Sequence, residues 1–265
     1  MKLPVMTFNL RTESGTSAEH AWESRSERAA KVIRQFGPLL FGTQEGSRSM
    51  LELLKEKLKD FRYIGQGRDG GTNGEYSAIF YDSSLLDVVE EGQFWLSEQP
   101  DVPGSKSWDA AFPRICTWAQ FQSIEQPAHQ WLVFNTHLDH IGRQAREEGI
   151  LLIAGAIGRM RAHTGLPAVL MGDLNAAPDN PVIRFLCGEV TLKGYKMQLR
   201  NAFEAAAARP GATYHNFEGG EEGEPIDYIF ATEEIRISQV QIVRSKVNGQ
   251  FPSDHYPVAA VLEME

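Results

Sequence analysis

Residues 169–175 read VLMGDLN. Val169, Leu170 and Met171 suit a buried strand, and Asp173 and Asn175 follow two residues apart, which on a pleated strand directs both side chains to one side. Gly, Asp and Asn are also ordinary turn residues. The reading therefore depends on whether an apolar strand delivering polar side chains recurs, and it does. LPVMTFN (3–9) ends at Asn9, and LLFG (39–42) is followed closely by Gln44 and Glu45. WLVFN (131–135) runs into Asn135, His137 and Asp139, Asp254 and His255 adjoin HYPVAAVLEM (255–264), and Asp227 opens IDYIFA just inside residues 226–231.

Helical signals fall between these strands. ESRSERAAKVIRQFGP (23–38) is stopped by Gly37 and Pro38, and MLELLKEKLKDF (50–61) sets Leu51, Leu54, Leu58 and Phe61 at helical spacing. REEGILLIAGAIGRMRAHTGLP (146–167) places Ile150, Ile153, Ala154 and Ile157 on one face, with Gly165 and Pro167 as its stop. DNPVIRFLCG (179–188) carries Asn180 as N-cap and Pro181 at the first helical position. Between Tyr63 and Phe134 the signals are strands: YIGQG, YSAIFY, DVVEEGQFWL, RICTWAQF and WLVFN, mostly joined by short turns. RISQVQIVR (236–244) adds another in the tail. Strand-rich halves that each carry helices predict an α/β fold of packed, mainly antiparallel mixed sheets with helices outside. With no repeat or linker-like tract, residues 1–265 read as one domain.

The formal net charge of -9, from 26 basic and 35 acidic residues, is the opposite of the basic footprint of a protein that grips duplex DNA non-specifically. MKLPVMTFNLRTES lacks a signal-peptide core, and no apolar run is long enough to cross a bilayer. Cys116 and Cys187 lie in apolar segments and read as free thiols. These features predict a soluble, cytoplasmic monomer.

If the polar strand ends meet at one sheet edge, their carboxylates repel one another unless a cation lies among them. Oxygen donors of this kind suit Mg²⁺ or Mn²⁺. His137 and His140, three apart on a strand, point to opposite faces and do not read as a shared zinc site.

In order, TFNLR, TQEG, NTHLDH, MGDLN, IDYIF and SDHYPV resemble the motifs of the endonuclease/exonuclease/phosphatase superfamily, from Asn9 to His255. The resemblance implies a four-layer α/β/β/α sandwich of the DNase I-like kind and a metal-dependent phosphoesterase, most simply a phosphodiesterase. It implies that Asn9 and Glu45 position the metal with Asp254 close by, and that Asp173 and Asn175 hold the attacking water and the phosphate oxygens. His255, oriented by Asp227, activates water in this reading, and His137 contacts the phosphate or helps protonate the leaving oxygen. Arg114 resembles an arginine that contacts phosphate in some nuclease members. The chemistry is consistent: a charged ester repels its nucleophile, so neutralisation is the largest available contribution, and an imidazole held by an acid can move a proton near neutral pH.

The substrate stays open between a small phosphorylated metabolite and nucleic acid, with nuclease and sphingomyelinase-like activities as alternatives and a non-catalytic phosphate-binding scaffold as a further one. Three loops are expected to discriminate: RDGGTNGEY (68–76), SEQPDVPGSKSWDAAFP (97–113), with Trp108 a candidate to cover the leaving group, and HNFEGGEEGEP (215–225). The acidic run of the last predicts a preference for small or single-stranded esters over duplex DNA.

Overall fold

Two strand–helix–strand units set the architecture. β1 (Lys2–Asn9) passes through α1 (Trp22–Phe36) to β2 (Leu40–Gln44), and β7 (Gln130–His137) passes through α3 (Arg143–Thr164) to β8 (Ala168–Asp173). Each pair is parallel, because the helix carries the chain back to the starting edge. The computed structural model describes residues 1–13, 18–206 and 209–264. The remaining elements are α2 (Arg48–Lys57), β3 (Phe61–Ile64), β4 (Ile79–Asp82), β5 (Leu86–Trp95), β6 (Ile115–Ser123), α4 (Pro181–Leu186), β9 (Arg200–Asn201), β10 (Asp227–Ala231), β11 (Arg236–Ile242) and β12 (Val258–Glu263).

The strands form two six-stranded sheets, ordered β11-β12-β1-β2-β4-β3 and β5-β6-β7-β8-β10-β9. Both are mixed: apart from the two parallel pairs, the pairings among the described residues are antiparallel. Val5, Ile79, Phe121, Val133, Val169, Met171, Ile229 and Ala260 fill the space between the sheets. α1 and α2 cover the outer face of the first sheet through Trp22, Ile33 and Leu54 against Phe8, Phe41 and Phe80. α3 and α4 cover the second through Ile150, Ile153 and Phe185 against Phe134, Leu170 and Phe230. The result is the expected α/β/β/α order, in which strands of β1, β2, β7 and β8 are buried on both faces and so read as continuous apolar runs.

Boundaries moved where a local signal outweighed periodicity. α2 starts at Arg48 because the Ser47 hydroxyl accepts from the Met50 amide at 3.3 Å, and it stops at Lys57, so Phe61 opens β3 instead of closing the helix. Asn180 caps α4 as expected, accepting from Val182 N at 3.0 Å. β9, two residues long, carries no readable pattern. Cys116 and Cys187 are free thiols. Among the described residues, no helix is long and apolar enough to cross a membrane.

Gly172 lies just before the acid that β8 delivers. Its φ is +146°, and a Cβ placed there lies 2.0 Å from the Thr136 carbonyl oxygen of the adjacent strand. Gly172→Ala is therefore expected to destabilise the fold by about 2–4 kcal/mol, from backbone strain plus overpacking. Urea unfolding measures this, and an unchanged midpoint at unchanged slope contradicts the packing described here.

Candidate active site

β1, β2, β7 and β8 all point their carboxyl ends to the same edge of the sandwich, and the antiparallel neighbours β10 and β12 begin there. The ends of strands from different sheets touch. Asn9 Nδ2, at the end of β1, donates to Glu45 Oε1 at 2.9 Å and to Asp173 Oδ2 at 3.0 Å, joining the two sheets. Asp227 opens β10 directly beside Asp173, and its Oδ2 is 2.9 Å from His255 Nδ1. Asp173 Oδ2 is 3.5 Å from His137 Nε2 and 3.9 Å from His255 Nε2. The Arg11 guanidinium lies 3.5 Å from Asp254 and 3.9 Å from Glu45.

Glu45, Arg11, His137, Asp173, Asn175, Asp254 and His255 all line one cavity of about 540 Å³. Asn9 and Asp227 stand behind it as hydrogen-bond partners. Arg11, Glu45 and Asn175 have φ of 57°, 63° and 47°. Left-handed backbone at three non-glycine residues of one site is strain held by the surrounding packing.

Two expectations about direction change. Asn175 does not share a pleat with Asp173: β8 ends at Asp173, and the chain turns so that the Asn175 amide donates to Asp173 Oδ1 at 2.9 Å. Asn175 Nδ2 donates to the Leu138 carbonyl at 3.0 Å, so both side chains still reach the cavity, by a turn. His137 and His140 both line the cavity, because β7 stops at His137 and opposite-face alternation no longer applies.

Asn135 and Asp139 are structural. Asn135 Nδ2 donates to Thr43 O and Ala78 O at 2.9 Å across the sheets, while Asp139 accepts from the Ile141 and Gly142 amides ahead of α3. Arg114 lines the cavity wall with its Nε 3.3 Å from Asp139 and its Nη2 3.0 Å from His140 Nδ1. Trp108 is not among the cavity-lining residues, and the same loop supplies Phe112. The acidic run is likewise not among the lining residues: Glu221 lies 3.9 Å from Arg244 and Glu224 pairs with Arg209.

Arg25 is the supporting residue that the sequence reading passed over. Fully buried on α1, it donates to the carbonyls of His20 at 2.6 Å, Leu10 at 2.5 Å, Arg11 at 2.8 Å and Pro252 at 3.1 Å. One guanidinium thus ties the chain after Asn9 to the chain before Asp254, satisfying carbonyls that would cost about 1–3 kcal/mol each if left unpaired. The readable signal was a charge at the apolar phase of the helix, beside Trp22 and Ala29.

Electrostatics divides the titratable groups. Burial opposes the charged form of His255, but Asp227, by charge and hydrogen bond, together with Asp173 and Asp254, pushes it up to about 10. Burial and the Asp227 charge push Asp173 up to about 7. Burial, reinforced by Arg114 and His255, holds His137 well below the usual imidazole range. Burial also works against the Glu45 carboxylate, yet the Thr12 amide at 2.9 Å, Asn9 and the His255 charge keep it below the ordinary carboxylate value. Asp254 is raised by burial, with the Glu45 charge adding and His255 offsetting.

Two carboxylate groupings could hold a cation. Asp173, Asp227 and His255 offer ligand atoms within 4.8 Å of one another, a closeness their hydrogen bond already accounts for. Glu45 and Asp254 both line the cavity, the Glu45 charge raises the cost of ionising Asp254, and Arg11 reaches both carboxylates. These paired oxygens fit a hard divalent ion.

The profile of the Endonuclease/Exonuclease/phosphatase family matches residues 6–255. No curated protein matches the chain. Among solved structures, a mannosyl-6-phosphatase of Bacteroides thetaiotaomicron is 34% identical, with 99% of this chain and 100% of that one covered and a TM-score of 0.88. An endonuclease/exonuclease/phosphatase protein of Bacteroides vulgatus is 31% identical, with both chains fully covered (100% each) and a TM-score of 0.90. The human nocturnin catalytic domain, solved with a bound sulfate anion, is 14% identical over 100% of this chain and 94% of that one, at a TM-score of 0.77, and shares the fold.

Proposed function

Because the chain belongs to the endonuclease/exonuclease/phosphatase family, we propose that it is a divalent-metal-dependent hydrolase of small phosphoesters, with phosphorylated sugars as the substrate class and the monoester favoured over the diester. The observation that carries this reading is the shared wall of Glu45, His137, Asp173, Asn175, Asp254 and His255 in one small cavity. The size of the cavity suits a metabolite, and a phosphatase with a mannosyl phosphate in its name is 34% identical over nearly the whole chain. Weak duplex binding is the corollary of a net charge of -9.

Glu45 and Asp254, with Asn9 steadying Glu45, would hold Mg²⁺ or Mn²⁺, whose charge, when bound, neutralises the phosphoryl group and polarises it for attack. Asp173 is the proton acceptor for the attacking water: it lines the cavity with its Oδ2 facing the Nε2 atoms of His137 and His255, and burial raises its carboxyl toward neutral pH. His255, held as an imidazolium by Asp227, balances charge on the phosphoryl oxygens as it builds up. This division differs from the sequence-based one, which made His255 the group that takes the proton. His137 is neutral and donates its Nε2 proton to a phosphate oxygen, and Asn175 completes the cradle. A neutral imidazole is a poor acid, so phosphate contact is preferred for His137 over protonation of the leaving oxygen.

The test is phosphate release from sugar phosphates, nucleotides, a small diester and duplex DNA at one ionic strength, with and without EDTA. Chelation is expected to abolish release, and Mn²⁺ or Mg²⁺ to restore it. Fastest turnover on duplex DNA counts against the small-ester reading, and turnover unaffected by EDTA counts against metal dependence. The pH profile follows from the same assignments. Activity rises as Asp173 loses its proton and falls as His255 loses its own, with limbs near the values of about 7 and about 10 of the metal-free protein. Positive charge from a bound divalent ion moves both limbs to lower pH. Asp173→Asn should remove the rising limb, and a rising limb that persists in that variant reassigns the base.

A further inference from the structure

Beyond the phosphate-handling residues, the cavity has a second wall with a different chemistry. Phe112, from the 97–113 loop, is 46% exposed although it lines the cavity. The Arg68 guanidinium sits 4.6 Å from its ring centroid, and the His140 ring lies within 13° of parallel at 5.9 Å. Arg68 is bonded to Glu75 at 2.6 Å, and Arg114 behind it to Asp139 at 3.3 Å. Each guanidinium is thus offset by its own carboxylate. This wall has little net charge to offer a second phosphate, but it presents an aromatic surface next to a paired donor and acceptor.

We infer that Phe112, Arg68 and Glu75 form the subsite for the leaving group, and that this subsite takes a neutral pyranose ring: the aromatic ring packs on the C–H face of the sugar, and the Arg68–Glu75 pair donates to and accepts from adjacent hydroxyls. The inference rests on the phosphoesterase reading above and adds the residues that choose its substrate. A nucleobase could also stack on Phe112, but the hydroxyls of a nucleotide lie on its ribose and not on the stacked ring, so they do not fall beside Arg68 and Glu75 as those of a stacked pyranose do. A second phosphate would meet the Glu75 carboxylate.

The experiment compares kcat/KM for D-mannose 6-phosphate, glycerol 3-phosphate and adenosine 5′-monophosphate in the Mn²⁺-loaded protein and in Phe112→Ala and Glu75→Gln. The hexose phosphate is expected to exceed the acyclic ester by at least about tenfold, and each variant to shrink that ratio by about tenfold or more. A wild-type ratio near one overturns the inference, as does a ratio that both variants leave unchanged. So does a nucleotide preferred over the hexose phosphate with the same dependence on Phe112. Hydrolysis of the esters with a flat ratio defeats the subsite alone, whereas no hydrolysis of any of the three defeats the phosphoesterase reading and the subsite together.

Discussion

His255→Ala is expected to lower kcat by roughly 10³-fold, about 4 kcal/mol of transition-state stabilisation, with a much smaller change in KM. The imidazole is 5% exposed, its Nδ1 is held by Asp227 and its Nε2 faces Asp173 and the cavity, so its charge acts where the phosphoryl group reacts. Asp227→Asn keeps the shape but removes the charge that holds the imidazolium, and should cost roughly 10²-fold. Since Asp227 acts mainly through His255, the double variant should be only slightly slower than His255→Ala when compared at a pH where Asp173 is ionised in both. Fully additive losses would separate the two residues. Steady-state kinetics decides this, with circular dichroism confirming that each variant is folded.

Glu45→Gln is expected to weaken Mn²⁺ binding by about 100-fold or more, because a hard cation loses a full carboxylate charge from an all-oxygen site. The fold should feel it less. One carboxylate oxygen accepts from Asn9 Nδ2 and the other from the Thr12 amide, and glutamine keeps only one acceptor, leaving a local clash of donors worth about 1–3 kcal/mol. Isothermal titration reads the affinity and thermal unfolding without metal reads the clash. A variant that binds Mn²⁺ like the parent moves the ion elsewhere, for which Asp173, Asp227 and His255 are the alternative grouping.

The layer order and the meeting of strand ends were legible because they depend on local signals. Buried strands are continuous apolar runs, turns carry Gly, Pro and Asn, and each polar group stands at a strand end or within three residues of one. Asn9, Glu45, Asp173, Asp227 and His255 are gathered by that rule alone. Features set by distant packing were not legible. Arg25 stands at the apolar phase of its helix, but nothing in its own segment shows that the carbonyls of Leu10, Arg11 and Pro252 converge on it. Phe112 was hidden in a loop without periodicity, where Trp108 drew attention by size, and its partners Arg68 and Glu75 come from another loop. The acidic run looked like a shield against polyanions, yet it does not line the cavity and two of its glutamates lie against Arg209 and Arg244. Asn175 and His140 show the limit of alternation arguments: both reach the cavity because the strand ends just before them.

Water that gives its proton to Asp173 is expected to attack phosphorus and not the sugar carbon. Hydrolysis of D-mannose 6-phosphate in ¹⁸O-labelled water with Mn²⁺ measures this. Label is expected in the released phosphate and none in the sugar, with no release once EDTA is added. Label in the sugar hydroxyl, or phosphate release that EDTA leaves untouched, would contradict it.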